Sequence, residues 1–270
     1  MKETNAKQNG AGVKLSRRLS ALAEWVPQGA RFADIGTDHA LLPVFLAGSG
    51  RISYAVAGDV HAGPADAARR QVAEAGLESL VSVRHGDGLS VLAPGEVDTV
   101  CIAGMGGSLI VRLLTEAGER LDGVRTLVLS PHVAEDQLRI WLRDKGFVLE
   151  RELLLEEDGV IYTLLQATRG DSDDAKRANE ALYDKSELGD CLSRLSDQLC
   201  YEMGPLLLRA PSSVFFAKWE QEASKREKIV AQMRKALAED TTEKALEWEK
   251  AINDIREVLA CLRAEKRSFN

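Results

Sequence analysis

ADIGTDHALLP, residues 33–43, runs from an apolar, β-rich segment through a single glycine into a helical stretch. Strand, tight turn and helix in that order make the opening unit of a parallel sheet, whose ligands bind where strand ends meet helix N-termini. The turn holds Gly36 alone, where a dinucleotide loop would hold G-x-G-x-x-G. Gly36 permits close backbone approach, but Asp38 and His39 stand where a pyrophosphate would need small residues. A carboxylate there repels a pyrophosphate and suits a ligand with an amino group and a sulfonium cation. S-adenosylmethionine carries both, which makes it the expected cofactor. The plainer alternatives are that Asp38 caps the following helix and that His39 is a hydrogen-bonded supporting residue.

Outward from this unit the pattern repeats. Apolar runs at 31–35, 55–58, 80–84, 97–103 and 126–130 alternate with helical stretches near 40–49, 62–75, 107–117 and 134–145. The runs are mostly continuous, as in strands covered on both faces. Such alternation implies a parallel sheet with right-handed crossovers. FVLERELLLEE (147–157) and VIYTLLQAT (160–168) then flank Asp158-Gly159, which predicts an antiparallel hairpin. On the N-terminal side, KLSRRLSALAEWV (14–26) places Leu15, Leu19, Leu22, Ala23 and Val26 at helical spacing. Pro27 and Gly29 end that helix. Lys14, Arg17 and Arg18 lie on or beside its polar face.

The chain turns polar at RGDSDDAK (169–176), a predicted domain boundary. Residues 177–200 read as a helix, MGPLLLRAP (203–211) as a connector, and 213–238 and 242–266 as two long helices. Asp240 and Glu243 fit a capping box opening the second of these. Phe215, Trp219, Ile229, Met233 and Leu237 would face Leu246, Ile252, Ile255, Leu259 and Leu262 in an antiparallel pair. From Ser213 to Asn270 there are 12 Lys/Arg and 11 Asp/Glu (12 − 11 = +1), so the pair is nearly neutral. The expected organisation is a disordered tail (1–13), an α/β domain (14–170) and a helical domain (171–270).

With 270 residues, 45% of them hydrophobic, the chain can bury one large core and a small appendage. No run of 18 apolar residues exists, so no membrane span is expected. The start, MKETNAKQNGAG, lacks an apolar secretory core. The 4 cysteines form no C-x-x-C pair and have no histidine at metal-ligand spacing. Reduced thiols in a cytoplasmic protein without a metal are the expectation. The net charge of −7 argues against indiscriminate coating of nucleic acid, yet leaves room for a local basic face.

Three more strand ends carry chemistry-bearing residues. In AVAGDV (55–60), Asp59 stands where carboxylates bind ribose hydroxyls. In VRHGDGL (83–89), Asp87 beside Gly88 can accept from an exocyclic amine such as adenine's. In VDTVCIAGMGGSLI (97–110), Gly104, Met105, Gly106 and Gly107 give bare backbone at which a flat group can approach the methyl donor. Pro131 and His132 follow the fifth strand at the same rim. Each motif alone reads equally as an ordinary turn; Asp34, Asp59 and Asp87 at successive strand ends carry more weight together.

On these motifs the chain resembles the bacterial tRNA (adenine(22)-N(1))-methyltransferase family. The shared signature reads LSRRLSALAEWVPQGARFADIGTDHALLP, GPADAARRQVAEAGL, VRHGDGL, VDTVCIAGMGGSLI, LRIWL and LEEDGVIYTLL, in order over about residues 14–168. The resemblance implies an α/β, Rossmann-like seven-stranded methyltransferase sheet with a C-terminal antiparallel helical hairpin, coiled-coil-like. It implies transfer of a methyl group from S-adenosylmethionine to ring nitrogen 1 of adenine 22 of tRNA. Asp34, Gly36, Asp38, Asp59, Asp87, Gly88, Gly104 and Met105 are then expected around the cofactor. Asp38 and His39 become the catalytic candidates, orienting the exocyclic amine or accepting its proton. Lys14, Arg17 and Arg18 are expected on tRNA phosphates together with the helical hairpin, and Pro131 and His132 on the substrate. The chain departs from the family at Asp59, where the family has Glu, and at Ser130-Pro131-His132, where it has Gln-Pro-Asn. The second departure leaves the role of His132 open. The alternatives are a methyltransferase of small molecules or proteins, a non-catalytic nucleotide-binding adaptor, and a nicotinamide-dependent dehydrogenase; the single-glycine turn and the closing hairpin speak against the last. A monomer is expected.

Overall fold

The computed structural model describes residues 12–188, 192, 195–235 and 239–268. Helix α1 (Arg17–Trp25) opens at Ser16, whose hydroxyl accepts the Leu19 N–H (3.2 Å). It buries Leu22 and Ala23. The βα units follow as β1 (Ala30–Ile35), α2 (Leu41–Gly48), β2 (Ile52–Asp59), α3 (Ala62–Glu74), β3 (Val81–His85), β4 (Thr99–Met105), α4 (Gly107–Glu116), β5 (Thr126–Pro131) and α5 (Glu135–Asp144). The antiparallel pair β6 (Phe147–Glu157) and β7 (Val160–Arg169) closes the sheet.

The 7 strands lie in the order β3-β2-β1-β4-β5-β7-β6. The first five are parallel, and β7 runs antiparallel to both β5 and β6. The chain therefore leaves β1 in one direction to build β2 and β3, then returns to build β4 and β5 on its other side. That reversal opens a crevice beyond the carboxyl ends of β1 and β4. Phe32, Ala33, Val100, Cys101, Ile102, Leu127 and Val128 have no exposed surface, which is why these strands read as continuous apolar runs. Between β6 and β7, Asp158 (φ +52°) and Gly159 (φ +77°) make a two-residue turn with both residues left-handed, the geometry Asp-Gly favours. Arg139 of α5, part of the LRIWL motif, forms a fully buried ion pair with Glu152 of β6 (2.7 Å). That motif residue serves the fold, since removing either partner would strand a buried charge.

The chain divides into two compact units, one ending at Asn179 and the other beginning at Glu180. Helix α6 (Ser172–Tyr183) carries it from the first to the second, which contains α7 (Asp197–Met203), α8 (Pro205–Arg209), α9 (Ser213–Lys235) and α10 (Glu239–Ser268). The helix expected over 177–200 is therefore broken. α6 ends at Tyr183, and Ser196 opens α7 by accepting the Leu199 N–H (3.1 Å). α10 starts one residue ahead of the expected cap at Asp240.

Phe215, Trp219, Ile252, Ile255, Leu259 and Leu262 are buried as expected, but Val230 and Ala245 replace Ile229 and Leu246 in the seam, and Leu246 is exposed. Ala223 and Ala245 complete a stripe that a search for large residues overlooks. Leu237 and Cys191 lie outside the described residues, as does the expected tail up to residue 11; Val13, also assigned to that tail, packs into the core. Cys101 and Cys200 keep reduced thiols, whereas Cys261 is disulfide-bonded, so the expectation of reduced thiols fails there. Among the described residues no helix is long and apolar enough to cross a membrane.

Candidate active site

The rim formed by the carboxyl ends of β1, β2 and β4 gathers most of the residues singled out in the sequence. Asp34 is buried at the end of β1, opposite Cys101 of β4. The Thr37 hydroxyl donates to its Oδ2 (2.8 Å). Burial pushes the Asp34 carboxyl from 3.8 up to about 6; hydrogen bonds from Thr37 and the Cys101 thiol oppose that rise, and neighbouring Asp59 adds to it. Gly36 (φ +77°) turns the chain out of the strand, and its N–H and that of Thr37 both donate to the Gly58 carbonyl (2.9 and 3.0 Å). A Cβ on Gly36 would stand 2.4 Å from Met105 Cε, so the β1 turn and the end of β4 are in contact.

Asp38 (φ +54°) and Ala40 (φ +52°) are left-handed. Aspartate is among the few side chains that tolerate that region. The Asp38 N–H donates to Asp59 Oδ2 (3.2 Å), and the His61 N–H donates to Asp59 Oδ1 (2.9 Å). The buried Asp59 carboxylate thus holds the Asp38 loop by its backbone. The Asp38 side chain is left 72% exposed, 3.6 Å from His39 Nε2. Asp38 caps no helix: α2 begins after Ala40, without a side-chain cap.

Asp87 and Gly88 follow β3. The Asp87 carboxylate is exposed and caps nothing, so its oxygens are available to an incoming donor group. A Cβ on Gly88 (φ +51°) would meet Leu113 Cδ2 at 2.5 Å, which seats this loop on α4.

The glycines after β4 divide their work. Gly104 (φ +80°) is open: a Cβ there would have only His132 Nε2 (3.8 Å) and Arg18 Nη1 (4.0 Å) nearby. Gly107 is closed, because its Cβ would fall 2.2 Å from the Ala134 carbonyl oxygen. Its N–H donates to Val133 (2.7 Å), and the His132 N–H donates to Met105 (2.9 Å). Gly107 therefore seals the β4 and β5 rims together, whereas Gly104 leaves space around it. Pro131 ends β5 opposite Met105. The His132 ring stands edge-on to Tyr162 of β7 (centroids 5.9 Å apart).

The three basic candidates separate. Lys14 is exposed ahead of α1, between the buried Val13 and Leu15. Arg17 is exposed too; its N–H bonds Glu157, and its Nη1 donates to the Glu156 carbonyl (3.1 Å). Arg18 does not join them. Its guanidinium lies over the Tyr162 ring, 4.7 Å from the centroid, with Nη1 buried. Tyr162, Thr37 and His61 escaped the sequence reading. The one signal for Tyr162 was a lone aromatic in an aliphatic strand.

Carboxylates at the ends of β1 and β2 and an open glycine at the end of β4 give the sheet reversal a rim whose charge suits a cationic ligand. The comparisons decide the family. A model of the TrmK family, tRNA (adenine(22)-N(1))-methyltransferase, matches residues 32–257. The chain belongs to this family. The tRNA (adenine(22)-N(1))-methyltransferase of Bacillus subtilis (strain 168) is 38% identical over 248 residues, 92% of this chain and 98% of that one. The crystal structure of the B. subtilis M1A22 tRNA methyltransferase TrmK superposes with a TM-score of 0.80, covering 92% of this chain and 99% of that chain. The Streptococcus pneumoniae protein Sp1610, solved in complex with S-adenosyl-L-methionine, is 36% identical with a TM-score of 0.74, over 91% of this chain and 99% of that chain. The family's fold and reaction are those the sequence motifs led us to expect.

The TrmK-family site also fits the cofactor on its own geometry. Asp34 and Asp59 are buried acids whose negative charge a cationic ligand would offset, and Gly104 keeps open a space that any side chain would enter.

Proposed function

We propose that this TrmK-family chain transfers the methyl group of S-adenosylmethionine to N1 of adenine 22 of tRNA at the β1–β2–β4 rim. One observation carries the site assignment: Asp59 fixes the Asp38 loop through the Asp38 N–H (3.2 Å), leaving the Asp38 carboxylate free at the mouth of the cleft. Bound S-adenosylmethionine supplies an electrophilic methyl carbon on a sulfonium. Asp59 takes the donor's ribose hydroxyls, Asp87 its adenine amine, and Asp34 balances its positive charge. Gly36, Gly88 and Met105 shape the walls.

Adenine N1 has an in-plane lone pair and needs no strong base, so alignment and exclusion of water dominate the rate. N1 is on the pairing edge of the base, which must leave its stack to reach the cleft. Gly104 admits the flat ring there, with Pro131 and His132 along its side. Asp38, steadied by His39, accepts a hydrogen bond from the exocyclic amine and opposes the positive charge that develops on the ring. Lys14 and Arg17 meet tRNA phosphates, and the helical unit adds to that contact. In the helical unit Arg226, Arg234, Arg256 and Arg263 are engaged by glutamates, so its part is one of shape more than of charge. The enzyme acts as a monomer in the cytoplasm, where its substrate is.

Nucleoside mass spectrometry of a tRNA transcript incubated with the protein and S-adenosylmethionine tests this reading. N1-methyladenosine is expected from the adenine-22 transcript and not from one with guanine at that position. Methylation independent of residue 22, or none of RNA at all, would refute it.

A further inference from the structure

Val133 follows His132 in the loop between β5 and α5 and is 61% exposed, more than any other large hydrophobic side chain among the described residues. It is exposed and yet held. Its carbonyl accepts the Gly107 N–H (2.7 Å), and the preceding His132 N–H donates to the Met105 carbonyl (2.9 Å), so the loop is tied to the end of β4 and the start of α4. A Cβ on Gly106 would stand 3.6 Å from Val133 Cγ2, which sets the side chain against bare backbone. Ala134 follows in the left-handed region (φ +58°), which is disfavoured for alanine. Such a conformation persists only where its surroundings enforce it, and it gathers at working sites. Of the 4 left-handed residues other than glycine among the described residues, Asp38, Ala40 and Ala134 lie in the loops after β1 and β5, at the same rim.

Single exposed apolar side chains are common; what sets Val133 apart is its fixed backbone and its place. Its neighbour His132 has Nε2 3.8 Å from the Cβ position at Gly104, where the target ring is admitted. The valine side chain has no donor or acceptor, so it reads neither a phosphate nor a base edge and can only lie against an apolar face. Being β-branched, it is stiff and loses little freedom on insertion. The substrate offers an apolar face at this point. An adenine drawn out of its stack leaves a gap and bares the faces of the bases on either side, at a cost that opposes methylation. An apolar side chain entering the gap covers those faces, as wedges between base steps do in proteins that kink nucleic acids.

We propose that Val133 is such a wedge: it fills the place in the tRNA stack that adenine 22 vacates and so keeps that base in the cleft beside Gly104. It is a positioning residue, because it touches the neighbours of the target and not the reacting atoms. The proposal rests on the reaction and the rim assigned above and adds the step that brings the base to them.

Single-turnover methylation by the full chain at saturating S-adenosylmethionine tests it on two transcripts. One is natural in sequence; in the other the nucleotide opposite adenine 22 is abasic, so that the target starts unpaired. Val133→Ala trims a solvent-facing side chain and should leave the melting temperature and the affinity for S-adenosylhomocysteine unaltered. Its rate should fall about 10- to 20-fold on the natural transcript and less than about 3-fold on the abasic one, where extrusion is easy. Val133→Ile keeps the wedge and should stay within about 3-fold of the parent on both. 2-Aminopurine in place of adenine 22 reports the same step, because its fluorescence rises on unstacking. That rise should be smaller with Val133→Ala than with the parent. An equal loss of rate on both transcripts, no loss on the natural one, or an undiminished fluorescence rise would overturn the proposal. A parent protein that methylates adenine 22 in neither transcript would instead overturn the reaction on which it rests.

Discussion

Replacing Asp38 by asparagine is expected to lower methyl transfer to tRNA about 100- to 10,000-fold, with S-adenosylhomocysteine affinity changed less than about 3-fold. The Asp38 N–H, not its carboxylate, makes the loop's contact with Asp59, and asparagine tolerates the same left-handed backbone. The loop should therefore survive while the negative charge proposed to face the methylated ring is lost. Asp38→Ala is the less clean variant, because it adds a left-handed strain of about 1 kcal/mol to the loss of charge. Single-turnover rates at saturating tRNA and donor are the measurement. A rate within about 3-fold of the parent would take Asp38 out of the chemistry.

Asp34→Asn should make the protein more stable and a poorer enzyme. An unfolded aspartate ionises near 3.8, whereas burial raises Asp34 to about 6. Between those values the folded state holds more protons than the unfolded one, so stability falls as the pH rises through the window. Above pH 6 the penalty is complete and amounts to about 3 kcal/mol. Asparagine accepts from Thr37 and carries no charge, so at pH 7.5 its melting temperature should exceed the parent's by several degrees. That advantage should shrink as the pH falls from about 6 and vanish near 4. Donor affinity should move the other way. In the parent it climbs as the pH rises towards about 6 and levels off above, because the ionised carboxylate balances the donor's charge. In Asp34→Asn it should be at least about 10-fold weaker at pH 7.5 and insensitive to pH in that range. Equal melting temperatures at pH 7.5 with unaltered affinity would mean that Asp34 is neither strained nor used.

The sheet was readable because its strands are buried on both faces and its helices on one. The first makes continuous apolar runs, the second a 3.6-residue stripe. Asp158-Gly159 announced the hairpin because so few residue pairs suit a turn with two left-handed positions. The acids were found for a similar reason: a carboxylate placed straight after an apolar strand is conspicuous. The fate of Arg18 was hidden because Arg17 and Arg18 are adjacent at the start of one helix, and helical spacing alone does not tell which one turns inward. Tyr162 and His132, distant in sequence, settle that choice. Gly104 and Gly107 look alike in the string GMGG; only the approach of the Ala134 carbonyl separates the open position from the sealed one. In the helical unit, alanines in the seam shifted the expected pairing from Ile229 and Leu246 to Val230 and Ala245, since a close helix contact accepts a small residue as readily as a large one.

The central claim is that buried acid at the ends of the parallel strands holds the methyl donor. Titrating S-adenosylmethionine into the parent protein and into Asp59→Ala tests it most directly. The account predicts one site per chain in the parent and a loss of at least about 10-fold in the variant, from the ribose contacts removed. Equal affinity in the two proteins would contradict it.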